Sequence, residues 1–500
     1  MSLVEDTLKA LGLAKAQDPQ LKKSWTQSSS ATSGLTEYDL EGPAKTLYPV
    51  ITPLRNLIPR VGGGKGIQAN WRAITGVNIN GTSAGVSEGN RGGVIATSTA
   101  DYFAAFRTLG LEDNVTFEAE SAGEGFDDIR ARAVEGLLRS LFIQQEKIML
   151  GANASLALGV TPTPTIAAVG SGGSIPTSTA VYVYCVALSL EGFLNAGVAS
   201  GIPVGAITRA NADGSSDTYG GGTAQKSAAA NVSTGANSSS VTASVAAVNG
   251  AAGYAWFWGA SAAAATLGAI TTINSAVLTT AAGTGTQTSA SSGVDWTADH
   301  STNTLVYDGL LTQVYKTGSN SYVAVQPTGT AGVGTPLTSD GEGGVVEIDT
   351  ALKAFWDNYR LSPDSMYVSS QEQNTITKKV MTNAGGNGAQ RFTVDVKDGL
   401  IAGGFKVTSY LNKYTMEGAT EIPIKLHPNL PAGTIMFYTN RLPYPLSNVR
   451  NVVQIQMRKG YYQLEWPLRS RKYEYGVYTD EVLQNYFPPA FGAITNIANG

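Results

Sequence analysis

The sequence predicts an α+β chain interrupted by an all-β module. Three observations carry that reading. Helix-like and strand-like segments interleave without the regular alternation of a doubly wound parallel sheet. One amphipathic helix is long enough to serve as a spine. The composition also breaks twice, near 155 and near 304: between the breaks Ala, Gly, Ser, Thr and Val dominate, and Arg209 and Lys226 are the sole Lys or Arg residues.

Composition narrows the function classes. Five hundred residues exceed one hydrophobic core and predict two to four domains. Charged residues are 14% of the chain, against roughly 25% in ordinary soluble domains. The formal net charge of -4 does not mark the whole chain as a nucleic-acid binder. A single cysteine, Cys185, rules out an internal disulfide framework. Its apolar strand context, Val181-Tyr-Val-Tyr-Cys-Val-Ala187, reads as a buried inert thiol. Two distant histidines, His300 and His427, with one cysteine do not make a zinc site, and no cofactor is expected. No stretch reaches the ~20 apolar residues of a membrane span, and the first residues lack the basic start and apolar core of a signal peptide.

In chain order, Ser2-Leu-Val-Glu5 fits a capping box that opens a short amphipathic helix with Val4, Leu8 and Leu11 on one face. Polar chain follows over 26–36. Residues 66–75 have strand character, Gly85, Gly89, Gly92 and Gly93 loosen a tip, and 94–97 begin the return. So polar and glycine-rich a hairpin cannot stand alone and is expected to lie on a neighbouring molecule. The spine helix is expected over 126–150, with Ile129, Ala133, Leu137 and Leu141 on one face and Val134, Leu138 and Phe142 widening it. Asp127 and Asp128 suit its positive end and Lys147 its negative end. Further helices are expected over 349–359 and, opened by the capping box Ser369-Ser-Gln-Glu372, to about 382. Strands are expected at 405–411, 434–438, 452–457, 461–466 and 472–478. Inside the module, 180–188, 241–248 and 254–258 are strands, the last two flanking an Asn249-Gly250 turn signal, and the whole reads as a small sandwich.

Motifs of catalysis do not survive their context. Gly81-Thr-Ser83-Ala-Gly85 has the nucleophile-elbow spacing, which needs a helix directly after the serine; loop follows instead. Val61-Gly-Gly-Gly-Lys65-Gly66 lacks the Ser or Thr of a P-loop. Gly220-Gly-Gly-Thr-Ala-Gln-Lys226-Ser227 has Gln225 where glycine must precede the lysine. Both read as loops. Glu118/Glu120 have strand spacing and read as a solvated face, and Asp127/Asp128 as a helix start. The 441–472 stretch is basic, with Arg441, Arg450, Arg458, Lys459, Arg469, Arg471 and Lys472 against Glu465, and is interleaved with Tyr461, Tyr462 and Trp466. Contact with a nucleic-acid backbone and contact with acidic neighbouring subunits both fit it.

The order of parts and several local sequences resemble the major capsid proteins of tailed bacteriophages, with the Hong Kong 97-type shell fold. Tyr307-Asp-Gly-Leu-Leu-Thr312, Leu337-Thr-Ser-Asp-Gly341 and Val346-Glu-Ile-Asp349 are similar to that family's approach to its axial domain, continued by Leu361-Ser-Pro-Asp-Ser-Met-Tyr-Val368. Tyr475-Gly-Val-Tyr-Thr-Asp-Glu481 and Asn485-Tyr-Phe-Pro-Pro-Ala490 are similar to its C-terminal signature. Asn249-Gly-Ala-Ala-Gly-Tyr254, within 241–259, is similar to a fibronectin type III or immunoglobulin-like strand pair, without the two cysteines of an antibody-type domain.

The resemblance implies a division into an N-terminal arm (1–60), an extended hairpin (61–115), the spine helix with part of a peripheral domain (116–154), the inserted β-sandwich (155–304), a return to the peripheral domain (305–339), an axial domain (340–442) and C-terminal strands (443–500). It implies a non-enzymatic shell subunit that self-assembles as hexamers and pentamers in a virion, built in the host cytoplasm around double-stranded DNA. Scaffolding and portal proteins, and room for a decoration protein, come with it. Candidate inter-subunit contacts are Trp71, Arg72, Arg91, Arg441, Arg450, Arg458, Arg469 and Arg471. Lys65 lies at the hairpin base, so the Lys–Asn crosslinking of some relatives is not carried over. Rival readings are an encapsulin-like nanocompartment shell, a β-rich surface adhesin centred on the insertion, and a hydrolase built on Ser83.

Overall fold

The structure, a computed structural model, describes residues 47–78, 83–124, 127–289, 296–382, 406–416, 418–444 and 447–498. The arm helix expected near Ser2–Leu11 lies outside the described residues. A short helix α1 (Pro53–Leu57) and strand β1 (Arg60–Val61) lead to β2 (Gln68–Asn78) and β3 (Ala96–Ala105), which pair antiparallel as a two-stranded hairpin. Strand β4 (Arg107–Thr116) carries the chain back into the body. Helix α2 (Phe117–Gly123) follows, capped by Thr116, whose hydroxyl accepts from the Ala119 amide at 3.3 Å. Glu118 and Glu120 therefore sit in the first turn of a helix, where their charge suits the free amides, and not on a strand as their spacing suggested.

The spine is α3 (Ile129–Gly151), whose 23 residues run ~34 Å. It starts later than expected because Asp128 is its cap: the carboxylate accepts from the Ala131 amide at 3.0 Å. Asp127 stays outside and pairs with Arg132. Leu137 and Leu141 of the predicted stripe are buried, and the buried face continues through Gln145, Glu146, Met149 and Leu150. Polar side chains thus occupy helical positions that the apolar repeat reserves for the core.

A strand-rich segment, called the insertion after its expected role, begins directly after the spine. Its strands are β5 (Thr165–Val169), β6 (Ala180–Leu188), β7 (Ala206–Ala210), β8 (Ser216–Gly220), β9 (Ala230–Ser233), β10 (Ser240–Ser244), β11 (Gly253–Gly259), β12 (Thr266–Thr271) and β13 (Ser275–Leu278), with a short helix α4 (Leu190–Leu194) after β6. They form a three-stranded sheet, β13-β10-β5, a four-stranded sheet, β12-β11-β6-β9, and the hairpin β7-β8. Strands β10 and β11, which flank Asn249-Gly250, belong to opposite sheets, so that segment crosses between layers.

Strand alternation sorts the β6 and β11 side chains into two cores. Val181, Val183, Cys185, Tyr254, Trp256 and Trp258 face the three-stranded sheet. Tyr184, Val186, Ala255 and Phe257 face the other way, against Ile202, Leu267 and Trp296. Both faces are covered, which is why the run Tyr254-Ala-Trp-Phe-Trp258 has no polar position. Burial pushes the Cys185 thiol well above its ordinary pKa, in keeping with an inert core residue.

The two ends of the insertion meet at a neck. The Asn303 amide donates to the Asn153 carbonyl at 2.7 Å, and the Asn153 side chain reaches the Ser301 carbonyl at 3.0 Å. Asp308 accepts from the amides of Ala154 and Ser155 and from the Ser155 hydroxyl, and also holds Lys316. Gly309 lies so close to the end of the spine that a Cβ there would stand 2.4 Å from the Ile148 carbonyl oxygen and 2.6 Å from the Gly151 nitrogen. Glu191 of α4, largely buried, accepts from Asn303 at 3.1 and 3.2 Å.

Beyond the neck come α5 (Leu310–Tyr315), β14 (Tyr322–Val325), α6 (Val346–Tyr359), β15 (Ser365–Val368), α7 (Ser370–Thr382), β16 (Ser409–Asn412), β17 (Thr420–Leu426), β18 (Ile435–Tyr438), β19 (Val453–Glu465), β20 (Lys472–Asn485) and β21 (Gly492–Thr495). Two sheets organise them: β1-β19-β20-β4, under the spine, and the six-stranded β14-β21-β18-β15-β17-β16. The expected strands 452–457 and 461–466 are one strand, β19, whose pairing with β20 shifts register on either side of Lys459. At α7 the Ser369 hydroxyl accepts from the Gln371 amide at 3.2 Å. Glu372, the other half of that box, is buried and accepts from Gly433 at 2.8 Å, so it ties the helix to the approach of β18.

Two expectations test the neck. Gly309→Ala forces backbone apart and should cost about 1–3 kcal/mol in urea unfolding; an unchanged midpoint would show that the neck yields freely. Burial raises the Glu191 pKa, opposed by its Asn303 hydrogen bonds. The unfolded state therefore ionises first as pH rises, and this group's contribution is complete below the unfolded value of about 4.3 and falls as pH climbs through the raised one. Glu191→Gln, which keeps an acceptor for Asn303, should gain stability relative to the parent between pH 4 and pH 7. A difference independent of pH would refute the assignment.

Candidate assembly surface

The hairpin β2–β3 is largely exposed along its length. Its pairing runs from Gln68↔Ala105 to Asn78↔Ala96, roughly 35 Å of two-stranded ribbon. Ile67, Ile74 and Phe103 are 79%, 70% and 69% exposed, and Val94 in the tip loop 95%. Twelve of the 24 exposed large apolar residues among the described residues lie between Leu47 and Phe103. Seven of them, from Ile67 to Phe103, lie on the hairpin or beside its strands, with no third strand over them among the described residues, and such a grouping marks an interaction surface. Sequence reasoning placed the hairpin but missed Ile67, Ile74, Val94 and Phe103; their signal was apolar residues in a segment with no third strand to cover them.

Trp71 roots the ribbon within its own chain. Its ring stacks on Tyr102 across the hairpin, centroids 6.0 Å apart, and meets the edge of Tyr486 in the body at 5.8 Å. Arg72 lies directly opposite Asp101 and binds it through two hydrogen bonds of 2.5 and 2.9 Å. Each holds the other in its charged form, Asp101 below the usual carboxylate range and Arg72 above its own. Arg91 is exposed in the tip loop. Ser83 is in the same loop, its hydroxyl accepting from the Gly85 amide at 3.2 Å, and no helix follows it. The strand–serine–helix context of a nucleophile elbow is absent there. Lys226, the other motif residue of interest, donates to the Ser289 carbonyl at 2.5 Å and lies over the rings of Tyr184 and Trp296, so it is held by the insertion's own core.

Tertiary structure divides the basic stretch. Arg458 grips Asp480 at 2.9 Å and donates to the Gly66 carbonyl at the hairpin base. Arg471 pairs with Glu118 at 2.6 Å and Lys472 with Glu474 at 2.7 Å. Glu465 itself is taken by Arg130 of the spine at 3.1 Å. Asp480 and Glu118 come from other segments and Glu474 lies just past the stretch, so the local charge count did not include them. Arg441, Arg450 and Arg469 remain exposed on loops around β19 and β20.

Near the C-terminal end of the spine lies a buried junction. Glu146 on the spine accepts from the amides of Leu54 and Arg55 at 2.9 and 2.7 Å, and its Oε1 lies 2.6 Å from His427 Nε2. The Asn429 amide donates to His427 Nδ1 at 3.2 Å, which places the imidazole proton on Nε2, facing the carboxylate. Next to it, the Arg55 guanidinium covers the Phe142 ring at 3.3 Å and donates to Gln145, which also accepts from Tyr461 at 2.6 Å. One turn of the spine thus gathers α1, β19 and the segment after β17.

No family model and no curated protein matches the chain. Solved structures do show similarity over nearly its full length, at low identity and low superposition scores. The capsid of a native GTA particle covers 94% of this chain and 98% of its own, at 8% identity and a TM-score of 0.41. The capsid of Myoviridae Phage XM1 covers 91% and 95%, at 10% identity and 0.39. The holo-SrpI encapsulin complex from Synechococcus elongatus PCC 7942 covers 93% and 97%, at 9% identity and 0.39.

The junction at Glu146 makes a stability demand that is independent of assembly. Glu146→Ala orphans two buried backbone amides and the His427 donor, and should cost about 3–5 kcal/mol in equilibrium unfolding. A loss below about 1 kcal/mol would mean that water or a neighbouring group replaces the carboxylate.

Proposed function

We propose that the chain is a shell-forming subunit with the Hong Kong 97-type fold. It is a major capsid protein, which assembles through hexamers and pentamers into an icosahedral head around double-stranded DNA. The observation that carries the reading is the hairpin, a long ribbon with apolar residues exposed and a root fixed by Trp71. Its stability calls for a surface that the described residues of its own chain do not supply. The order of arm, hairpin, spine helix, mixed sheet and last strands, with the local sequences from Tyr307 to Ala490, supports the same reading.

In this reading 1–60 is the arm, 61–115 the extended loop over an adjacent subunit, and 116–154 and 305–339 the peripheral domain. Residues 155–304 form an outward-facing sandwich, 340–442 the axial domain and 443–500 the closing strands. The six-stranded sheet draws β14 and β21 from outside 340–442, so the axial part extends to those strands. Arg91, Arg441, Arg450 and Arg469 are the basic residues best placed for contacts beyond the chain, with neighbouring subunits or with DNA. Scaffolding, portal and decoration proteins are the further partners, the virion is the location, and no catalytic step is assigned.

Electron microscopy of the purified chain, alone and with its scaffold, tests this directly. Closed shells or capsomer sheets are expected; a stable monomer under both conditions would overturn the proposal, and shells that fill with protein cargo and exclude DNA would favour a nanocompartment. Ile74→Asp with Phe103→Asp should leave subunit stability within about 0.5 kcal/mol, since both side chains are exposed, and abolish shells. Normal shells from that variant would remove the hairpin from the interface.

A further inference from the structure

We infer that the insertion is a clasp on the six-stranded sheet as well as a module with its own core. The turn between β12 and β13 places Asn274 in a polar knot with Asn496, 222 residues away, both residues buried. The Asn274 backbone amide donates to Asn496 Oδ1 at 2.9 Å, and Asn496 Nδ2 donates back to Asn274 Oδ1 at 3.1 Å. The remaining donors are also placed. Asn274 Nδ2 reaches the Val245 carbonyl at 2.7 Å and the Thr328 hydroxyl at 2.9 Å, and Asn496 Nδ2 reaches the Gln326 carbonyl at 2.7 Å. Beside the knot, the Gly332 amide donates to Ser275 Oγ at 3.0 Å.

The members of this knot belong to three parts of the chain. Val245, Asn274 and Ser275 are in the insertion. Gln326, Thr328 and Gly332 follow the edge strand β14. Asn496 follows β21, the strand between β14 and β18. Asn496 adopts φ +60°, a left-handed conformation that asparagine tolerates better than most residues. That turn delivers Ile497 into the core, where its amide donates to Gly433 at 3.1 Å, and Ala498 onto the Thr335 carbonyl at 3.0 Å. Strand β21 has four residues, and its side-by-side pairing with β14 is parallel. Its residues 492–494 are buried between β14 and β18, and the knot adds a specific lock where the chain leaves that pairing. A second tie, from Asn249 Nδ2 to the Tyr315 carbonyl at 2.7 Å, holds the same side of the insertion to α5.

An amide pair of this kind is selective because each carboxamide has two donors and one acceptor oxygen to satisfy, and a buried group left unpaired is costly. The clasp is therefore a mutual coupling: with the β12–β13 turn formed, residues 492–498 gain protection, and the turn gains it from them in return.

Hydrogen exchange on the full-length soluble chain tests this. Asn274→Ala should speed exchange of amides in 492–498 and 322–326 about tenfold or more, while amides of the spine helix, 129–151, keep parent rates. Unchanged exchange in 492–498 overturns the inference. If Asn274→Ala yields no soluble chain, Thr328→Val, which removes one acceptor from the knot at nearly equal volume, should give a smaller acceleration at the same residues; parent rates there overturn it equally. Replacing 155–300 by a short Gly/Ser linker should reproduce the Asn274→Ala pattern in whatever fraction is soluble, and full protection of 492–498 in that chain would show that the insertion does not hold the strand.

Discussion

A carboxylate with no exposure to solvent organises the body of this molecule. Glu146 sits on the spine helix where the apolar repeat calls for a hydrophobic side chain, and three donors converge on it. Two are the amides at the start of α1, which would otherwise be unsatisfied helix ends. The third is His427, whose Nδ1 is committed to Asn429 and whose proton therefore points at the carboxylate. A buried charge of this sort stabilises little by itself, because desolvation offsets most of the attraction. What it supplies is position: α1, the spine and the segment after β17 have one mutual arrangement that satisfies these donors.

The β-rich segment extends the same logic just past the C-terminal end of the spine, within two turns of Glu146. Its neck is closed by Asn153, Asn303 and Asp308, and the approach of chain segments there is so tight that only glycine fits at position 309. Its far side is tied through Asn249 and Asn274. A low-charge module can dock in this way because its surface amides and hydroxyls find backbone partners without the desolvation penalty of ions. The hairpin is the contrasting case. It is rooted by Trp71 and Arg458, registered by Arg72 and Asp101, and otherwise open, with its apolar side chains in water. The rigid parts of the chain thus place an unsatisfied part, which is the arrangement a subunit of a larger assembly requires.

Much of this was legible in the sequence. The spine helix follows from the i, i+4 recurrence from Ile129 to Leu141, the α7 start from the serine before it, and strands β6, β10 and β11 from their β-branched and aromatic runs. These are local properties, set by periodicity and by capping chemistry within a few residues. The α+β class and the hairpin were legible for the same reason. Strand β17 was not, since Pro423 stands in its middle, and Glu118 and Glu120 were misread because two alternating acids look alike on a strand and in the first turn of a helix.

What only the tertiary structure decided are pairings between distant residues. The basic stretch looked unbalanced until Asp480 and Glu118 were brought against Arg458 and Arg471. Likewise His427 and Glu146 gave no sign of each other across 281 residues, nor Asn274 and Asn496 across 222. Charge counts and hydrophobic patterns register what a residue is, whereas a hydrogen bond requires donor and acceptor within about 3 Å and in line, and that is fixed by the packing of whole elements. The sequence by itself determined which segments become helix, strand and module; the fold alone determined which polar groups meet, and hence which apolar faces are left for another molecule.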